Sequence, residues 1–436
     1  MRRKLALLAA ALVAPAALVP PAGAAPGSGT PTLVTLGDSY ISGEAGRWHG
    51  NSADSTFSRE GTDRAYEGWF RYNPAKVYID GSRGNGCHRS DVAEVRVAAA
   101  RLGLTPVNLA CSGAETINVL RARSGGQAFK GEAPQADQLA RVAAEADVRA
   151  IVLSIGGNDL GFGAGVAACV QAYILSTRWS RRTCHAEQGA LLEKRLPGAM
   201  SNVRRVIDDL RATMRAAGYD RDDYRFVLQS YPSPVPVARR MRHPETGVAR
   251  LNAGCPLWDE DLDFAREVMV NRIADNLRAV AQAEDVEFLD LRDLFDGHEA
   301  CASTAVTGGY AAPMHLEWAR YISLGVLQGD KQESFHPNEV GQVAMGHCLA
   351  ATFVTPGDEW RCRAGAGVAP DEVGLATIRG KAPKAPRQRD EHVDVAPDDE
   401  PWMPGPIDVE RAIERREDPR TDPARAPERT IGRAHV

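Results

Sequence analysis

Five short runs rich in β-branched and aliphatic residues alternate with longer segments of helical period, and this alternation limits the possible folds more than any other feature. The runs lie at 32–36, 105–110, 149–155, 225–231 and 286–291. Helical patterns fill 89–102, 134–146, 187–217 and 258–284, and a last one covers 337–353. Strands that alternate with helices pair in parallel through right-handed crossovers. The expected fold class is α/β, a three-layer α/β/α sandwich around a flavodoxin-like, parallel, five-stranded sheet. Ligands of such sheets sit beyond the carboxyl ends of the strands, so residues just past those ends are the ones to read for chemistry.

The ends of the chain differ from this middle. It opens Met1-Arg2-Arg3-Lys4, runs apolar from Leu5 to Val19 and reaches Ala22-Gly23-Ala24. A charged start, an apolar stretch and a small-residue cleavage site make a secretory signal peptide, read as residues 1–24. An uncleaved membrane anchor is the alternative, but Pro15 and Pro20 interrupt a run already short for a span of about 20 residues. No later stretch is apolar enough to cross a bilayer, so no stable membrane insertion is expected. After Cys362 the composition shifts: ten of the 27 prolines fall in 365–436, among dense Arg, Asp and Glu. Such a segment buries too little apolar surface to offset its ordering entropy, and residues 365–436 are expected to form a disordered tail behind a folded domain at 31–363.

Eight cysteines lie in the folded part, an even number that in an exported protein argues for disulfides. Neighbours in sequence would close modest loops: 87–111, 169–184, 255–301 and 348–362. There is no C-x-x-C pair and no H-E-x-x-H, so neither a metal nor another cofactor is expected. Net charge is −5 and no basic stripe appears outside the tail, which argues against a nucleic-acid partner. Three stretches exceed what connections need: 44–86, 160–186 and 302–332. The first carries Trp48, Phe57, Tyr66, Trp69, Phe70, Tyr72 and Tyr78. Such loops can wall an acyl pocket or simply add packing over the sheet.

Four short blocks carry chemistry. Residues 34–40 read Val-Thr-Leu-Gly-Asp-Ser-Tyr and put Ser39 just past the first strand. Alone, that serine could be a helix N-cap. Residues 107–115 read Val-Asn-Leu-Ala-Cys-Ser-Gly-Ala-Glu, residues 153–161 read Leu-Ser-Ile-Gly-Gly-Asn-Asp-Leu-Gly, and residues 333–338 read Glu-Ser-Phe-His-Pro-Asn. Together they resemble the four signature blocks of the SGNH, or GDSL-type, serine esterases and lipases. The runs around Cys111 and His336 look most like those of secreted actinobacterial members. The resemblance covers about 31–355.

That resemblance implies roles. Ser39 would attack an ester carbonyl, a reaction its hydroxyl performs poorly without an adjacent base. His336 would take the proton and return it to the leaving alkoxide, with Pro337 beginning a helix that fixes it. The Ser39 amide, the Gly113 amide and the Asn158 side chain would donate to the oxyanion, glycine at 113 letting backbone approach the substrate. Gly113 and Asn158 could instead be ordinary turn residues. The family usually places aspartate three residues before the histidine. Position 333 is glutamate, so either Glu333 or a main-chain carbonyl orients His336, and a Ser–His dyad on a carbonyl is preferred. The Gly-x-Ser-x-Gly elbow of α/β-hydrolases is absent from the chain. The expected protein is a secreted, extracellular, monomeric carboxylic-ester hydrolase acting on a small-molecule or lipid ester, as a lipase, esterase or phospholipase. Removal of acetyl groups from sugars is the rival activity, and a non-catalytic secreted binding protein on the same fold is the rival class.

Overall fold

A computed structural model of the chain describes residues 29–176, 180–323 and 327–378. The expected signal peptide at 1–24 and residues 379–436 of the expected tail lie outside them. All five expected strands form: β1 Pro31–Gly37, β2 Thr105–Asn108, β3 Asp147–Ser154, β4 Arg225–Gln229 and β5 Glu287–Asp293. They pair in parallel in the order β2-β1-β3-β4-β5. Order reverses between β1 and β3, and the crevice outside the carboxyl ends of those two strands is where such sheets hold ligands.

The sheet does not stop at five strands. β6, Glu359–Arg363, continues it in parallel beside β5, and β7, Gly374–Thr377, closes it antiparallel to β6. Among the described residues the sheet therefore has seven strands, and ordered chain extends past the boundary expected at 363. Glu359-Trp-Arg-Cys-Arg mixes charge into a run too short and polar to read as a strand, and pairing with β5 and β7 gives it that form.

Adjacent residues along each strand enter opposite cores, as a pleat dictates. Leu33, Val152, Val227 and Leu289 join one apolar cluster, with α2 (Glu94–Leu102) and α7 (Glu339–Thr352). Val34, Ile151, Leu153, Leu228 and Phe288 join the other, with α3 (Gln135–Glu145), α5 (His185–Ala216) and α6 (Val270–Glu284). Burial on both faces is why these strands are nearly unbroken apolar runs. Two further helices are α1, Ser39–Ser42, directly after β1, and α4, Phe162–Leu175. All four disulfides join the sequence neighbours named above: Cys87–Cys111, Cys169–Cys184, Cys255–Cys301 and Cys348–Cys362.

Candidate active site

The turn after β1 is held from several sides. Gly37 has φ +136°, and a Cβ there would lie 1.8 Å from the Ser154 carbonyl oxygen of β3, so only glycine fits. The Gln135 side chain grips the same residue twice, accepting from the Gly37 amide at 2.7 Å and donating to its carbonyl at 2.8 Å. The Asp38 amide donates to Ser154 at 3.0 Å, and the Asp38 carboxylate caps α1 by accepting from the Tyr40 amide at 3.1 Å. Ser39 is thus the first helical residue, not the cap, and its side chain is fixed at the carboxyl end of β1.

His336 arrives from the other end of the chain. Its Nε2 lies 2.6 Å from Ser39 Oγ, and its Nδ1 lies 2.9 Å from the Ser334 carbonyl oxygen. That carbonyl accepts only if Nδ1 carries the proton, which leaves Nε2 as the acceptor facing the serine. Glu333 does not reach the imidazole. It is fully buried and accepts from Trp48 Nε1 at 2.8 Å, the Tyr78 hydroxyl at 2.5 Å and the Asp330 amide at 3.0 Å. Between them, Phe335 has φ +59°, and its carbonyl accepts from the Tyr40 hydroxyl at 2.8 Å. Pro337 precedes the helix instead of beginning it: Asn338 is the cap of α7, accepting from the Gly341 amide at 3.1 Å. Trp48 and Tyr78 of the 44–86 loop are therefore engaged on Glu333 beneath the histidine segment.

Gly113 and Asn158 sit on neighbouring turns. The Cys111 amide donates to the Gly37 carbonyl at 3.1 Å, which carries the turn containing Gly113 to the end of β1. Gly113 has φ +86°, while an added Cβ would meet Phe129 only at 3.5 Å. Within the protein, glycine is called for here by the backbone angle. Asn158 donates its side-chain amide to the Ala114 carbonyl at 2.9 Å, and Asp159 accepts from the Thr116 amide at 3.1 Å. The turns after β2 and β3 are stitched together by these contacts.

Other groups here were not singled out in the sequence. Tyr231, just past β4, donates its hydroxyl to Asp38 at 2.5 Å and accepts from the Gly157 amide at 3.1 Å, tying the serine turn to the Asn158 turn. Its position at a strand's carboxyl end was the available signal. Burial pushes the Asp38 carboxyl up to about 7, against the hydrogen bonds from Tyr231 and Tyr40. Burial also holds the His336 imidazole below the usual histidine range, while the Glu44 carboxylate and the Ser334 carbonyl pull the other way. Burial would raise Glu44, but His88 beside it outweighs that and holds the carboxyl down to about 2. Among the described residues, Glu44, His88 and Glu333 are the group whose possible metal-ligand atoms gather, within 4.8 Å of one another. Their atoms are already engaged: His88 Nδ1 meets Glu44 at 2.9 Å, Gln332 donates to Glu44 at 2.8 Å, and Trp48 and Tyr78 hold Glu333. The trio reads as hydrogen-bonded support under the histidine segment. A cleft of about 500 Å³ lies elsewhere, lined by Arg266, Arg292, Asp293, Arg361 and other charged residues, and contains neither Ser39 nor His336.

A serine and a histidine in contact beyond the carboxyl ends of a three-layer α/β/α sheet are the parts a serine hydrolase needs. The chain belongs to the GDSL-like lipase/acylhydrolase family, whose model matches residues 35–344, and it is an ester-hydrolysing enzyme. It is 26% identical to Lipase 1 of Streptomyces coelicolor over 273 residues, 62% of this chain and 77% of that one. Phospholipase A1 from Streptomyces albidoflavus is a similar solved structure, at 19% identity over 75% of this chain and 100% of that one, with TM-score 0.45. An extracellular lipase from Streptomyces rimosus matches at 20% identity over the same shares, with TM-score 0.39. No helix among the described residues is long and apolar enough to cross a membrane.

Proposed function

We propose that the chain is an exported hydrolase of carboxylic acyl esters, lipid esters foremost, working through a Ser39–His336 dyad. The carrying observation is the pair of contacts on one imidazole, 2.6 Å to Ser39 Oγ and 2.9 Å to the Ser334 carbonyl. Ser39 Oγ attacks the carbonyl carbon as its proton passes to His336 Nε2. The π electrons move onto the carbonyl oxygen, where the Ser39 and Gly113 amides and the Asn158 side chain donate to it. Collapse expels the alkoxide, which takes the proton from His336. Water then repeats the sequence on the acyl-enzyme and frees the acid. A main-chain carbonyl does the orienting that an aspartate does in a triad.

The lipid class is supported by the family's acylhydrolase chemistry and by the likeness to Lipase 1. Export is supported by four disulfides, which persist in oxidising compartments, and by the leader-like start of the sequence. A monomer suffices, because every group in the scheme comes from one chain. Ser39→Ala is expected to abolish hydrolysis of p-nitrophenyl esters and labelling by a fluorophosphonate, with unchanged circular dichroism. Turnover by the purified variant would falsify the scheme. The same esters from acetyl to palmitoyl, assayed on the parent, decide the acyl class, and a preference for acetyl would favour the sugar deacetylase reading.

A further inference from the structure

The 44–86 excursion contains a small hairpin, Tyr66–Gly68 against Arg71–Tyr72, in which Gly68 pairs with Arg71. Trp69 and Phe70 are therefore its two-residue loop, and both have positive φ, 50° and 58°. Loops of this kind match the twist of the flanking strands but favour Asn and Gly, because a bulky residue at positive φ is strained. The side chains gain nothing from the fold in return: Trp69 is 93% exposed and Phe70 91%. Neither turn preference nor core packing accounts for an aromatic pair at this spot. Strain of this sort is retained where a site uses it.

The base of the hairpin is as firmly built as its tip is bare. The Tyr66 and Tyr72 rings meet at 5.4 Å, and the Arg59 guanidinium lies 3.5 Å over the Tyr72 ring. Arg59 pairs with Asp63, which Arg47 also holds at 2.7 Å. Arg64 reaches Glu339 at 3.1 Å, three residues beyond His336, so the base is anchored to the helix that follows the histidine. Arg71 adjoins the tip and Lys76 ends the short turn that follows the hairpin; both are exposed, and neither pairs with an acidic group among the described residues. The nearest acid in sequence, Glu67, accepts from the Asn73 amide at 3.2 Å.

We propose that Trp69 and Phe70 dock this enzyme onto a phospholipid surface, with Arg71 and Lys76 facing the head-group phosphates. Aromatic side chains partition into the boundary between head groups and acyl chains, and exposed cations near it are drawn to anionic lipid. The inference rests on the acyl-ester reading above, since a hydrolase of aggregated lipid must hold an interface beside its serine. Docking would keep the site next to its substrate without any membrane-spanning element.

The test uses the full chain carrying Ser39→Ala, so that vesicles survive, in co-sedimentation with vesicles of phosphatidylcholine alone or with phosphatidylglycerol added. W69S/F70S in that background is expected to bind roughly tenfold more weakly or worse, because two aromatic side chains no longer enter the lipid. W69N/F70G places favoured residues in the turn, and is expected to melt higher while losing vesicle binding in the same way. In the active enzyme both pairs of changes should leave kcat/KM on soluble p-nitrophenyl butyrate unchanged. Binding equal to the parent in both variants overturns the proposal, as does a parent that hydrolyses the soluble ester but binds neither vesicle. A change in oligomeric state with vesicle binding unaltered also overturns it and gives the patch to a second copy. If the active chain hydrolyses no ester while binding still depends on the pair, docking stands and the dyad scheme falls alone.

Discussion

Asn158 spends one of its two amide hydrogens on the Ala114 carbonyl, which leaves the other for an acceptor beyond the strand ends. A bond formed as negative charge develops lowers kcat when removed and leaves KM nearly untouched. Asn158→Ala is expected to lose about a hundred- to a thousand-fold in kcat. A melting-point loss with kcat within a few-fold of the parent would return Asn158 to a plain turn role. His336 gives a second expectation. The base must be neutral, and because burial lowers its pKa, the acid limb of kcat/KM should fall below the usual histidine value of about 6.5. Glu44, ionised because its own pKa is held down to about 2, favours the imidazolium and so raises that limb. Glu44→Gln should move the limb to still lower pH with the plateau little changed. A shift to higher pH would show that Glu44 acts on His336 in some other way. Asp38, whose carboxyl burial pushes up to about 7, is present in both enzymes and Glu44 is not among the causes of its shift, so the difference between the two profiles reports His336.

At the level of elements, the strands that carry the site were legible because both their faces are buried, which forces a run of apolar residues bounded by turn signals. Ser39 and His336 were singled out through the short blocks around them, and the structure shows what those blocks do for the backbone: Gly37 fits against Ser154, and Asn338 caps α7. Gln135 and Tyr231 were not, since each acts through partners far off in sequence, Gly37 98 residues from Gln135 and Asp38 193 residues from Tyr231. The choice between Glu333 and a carbonyl was likewise settled by Trp48 and Tyr78, far upstream, taking the carboxylate. Cys87–Cys111 is the element-scale device closest to the site, tying the 44–86 excursion to the turn that holds Gly113 two residues on. Closing a loop with sequence separation 24 is worth about 3 kcal/mol in the chain-entropy account. Replacing both cysteines by serine should cost about that in urea unfolding, and should reduce kcat as the Gly113 turn loosens. Full activity in the double variant would show that hydrogen bonds alone fix the turn.

The whole molecule is a sheet with two ends, and β7 gives one of them a meaning beyond fold description. An outermost strand offers a row of unpaired amides and carbonyls to any other chain, and proteins blunt such borders. On one side the outermost strand is β2, four residues long with Pro106 in it, which cannot donate there. On the other side the guard is β7, Gly374–Thr377, short and mostly exposed, laid antiparallel along β6. Cutting the chain after Arg363 would remove that guard and leave the outer backbone groups of β6 open along its length. A chain ending at 363 is therefore expected to keep its site yet recruit strands from its neighbours, appearing in light scattering as growing assemblies at concentrations where the chain ending at 378 stays single. If the shorter chain stays single, β7 is dispensable. Otherwise, the segment just past the last disulfide earns its place by keeping copies of this enzyme apart.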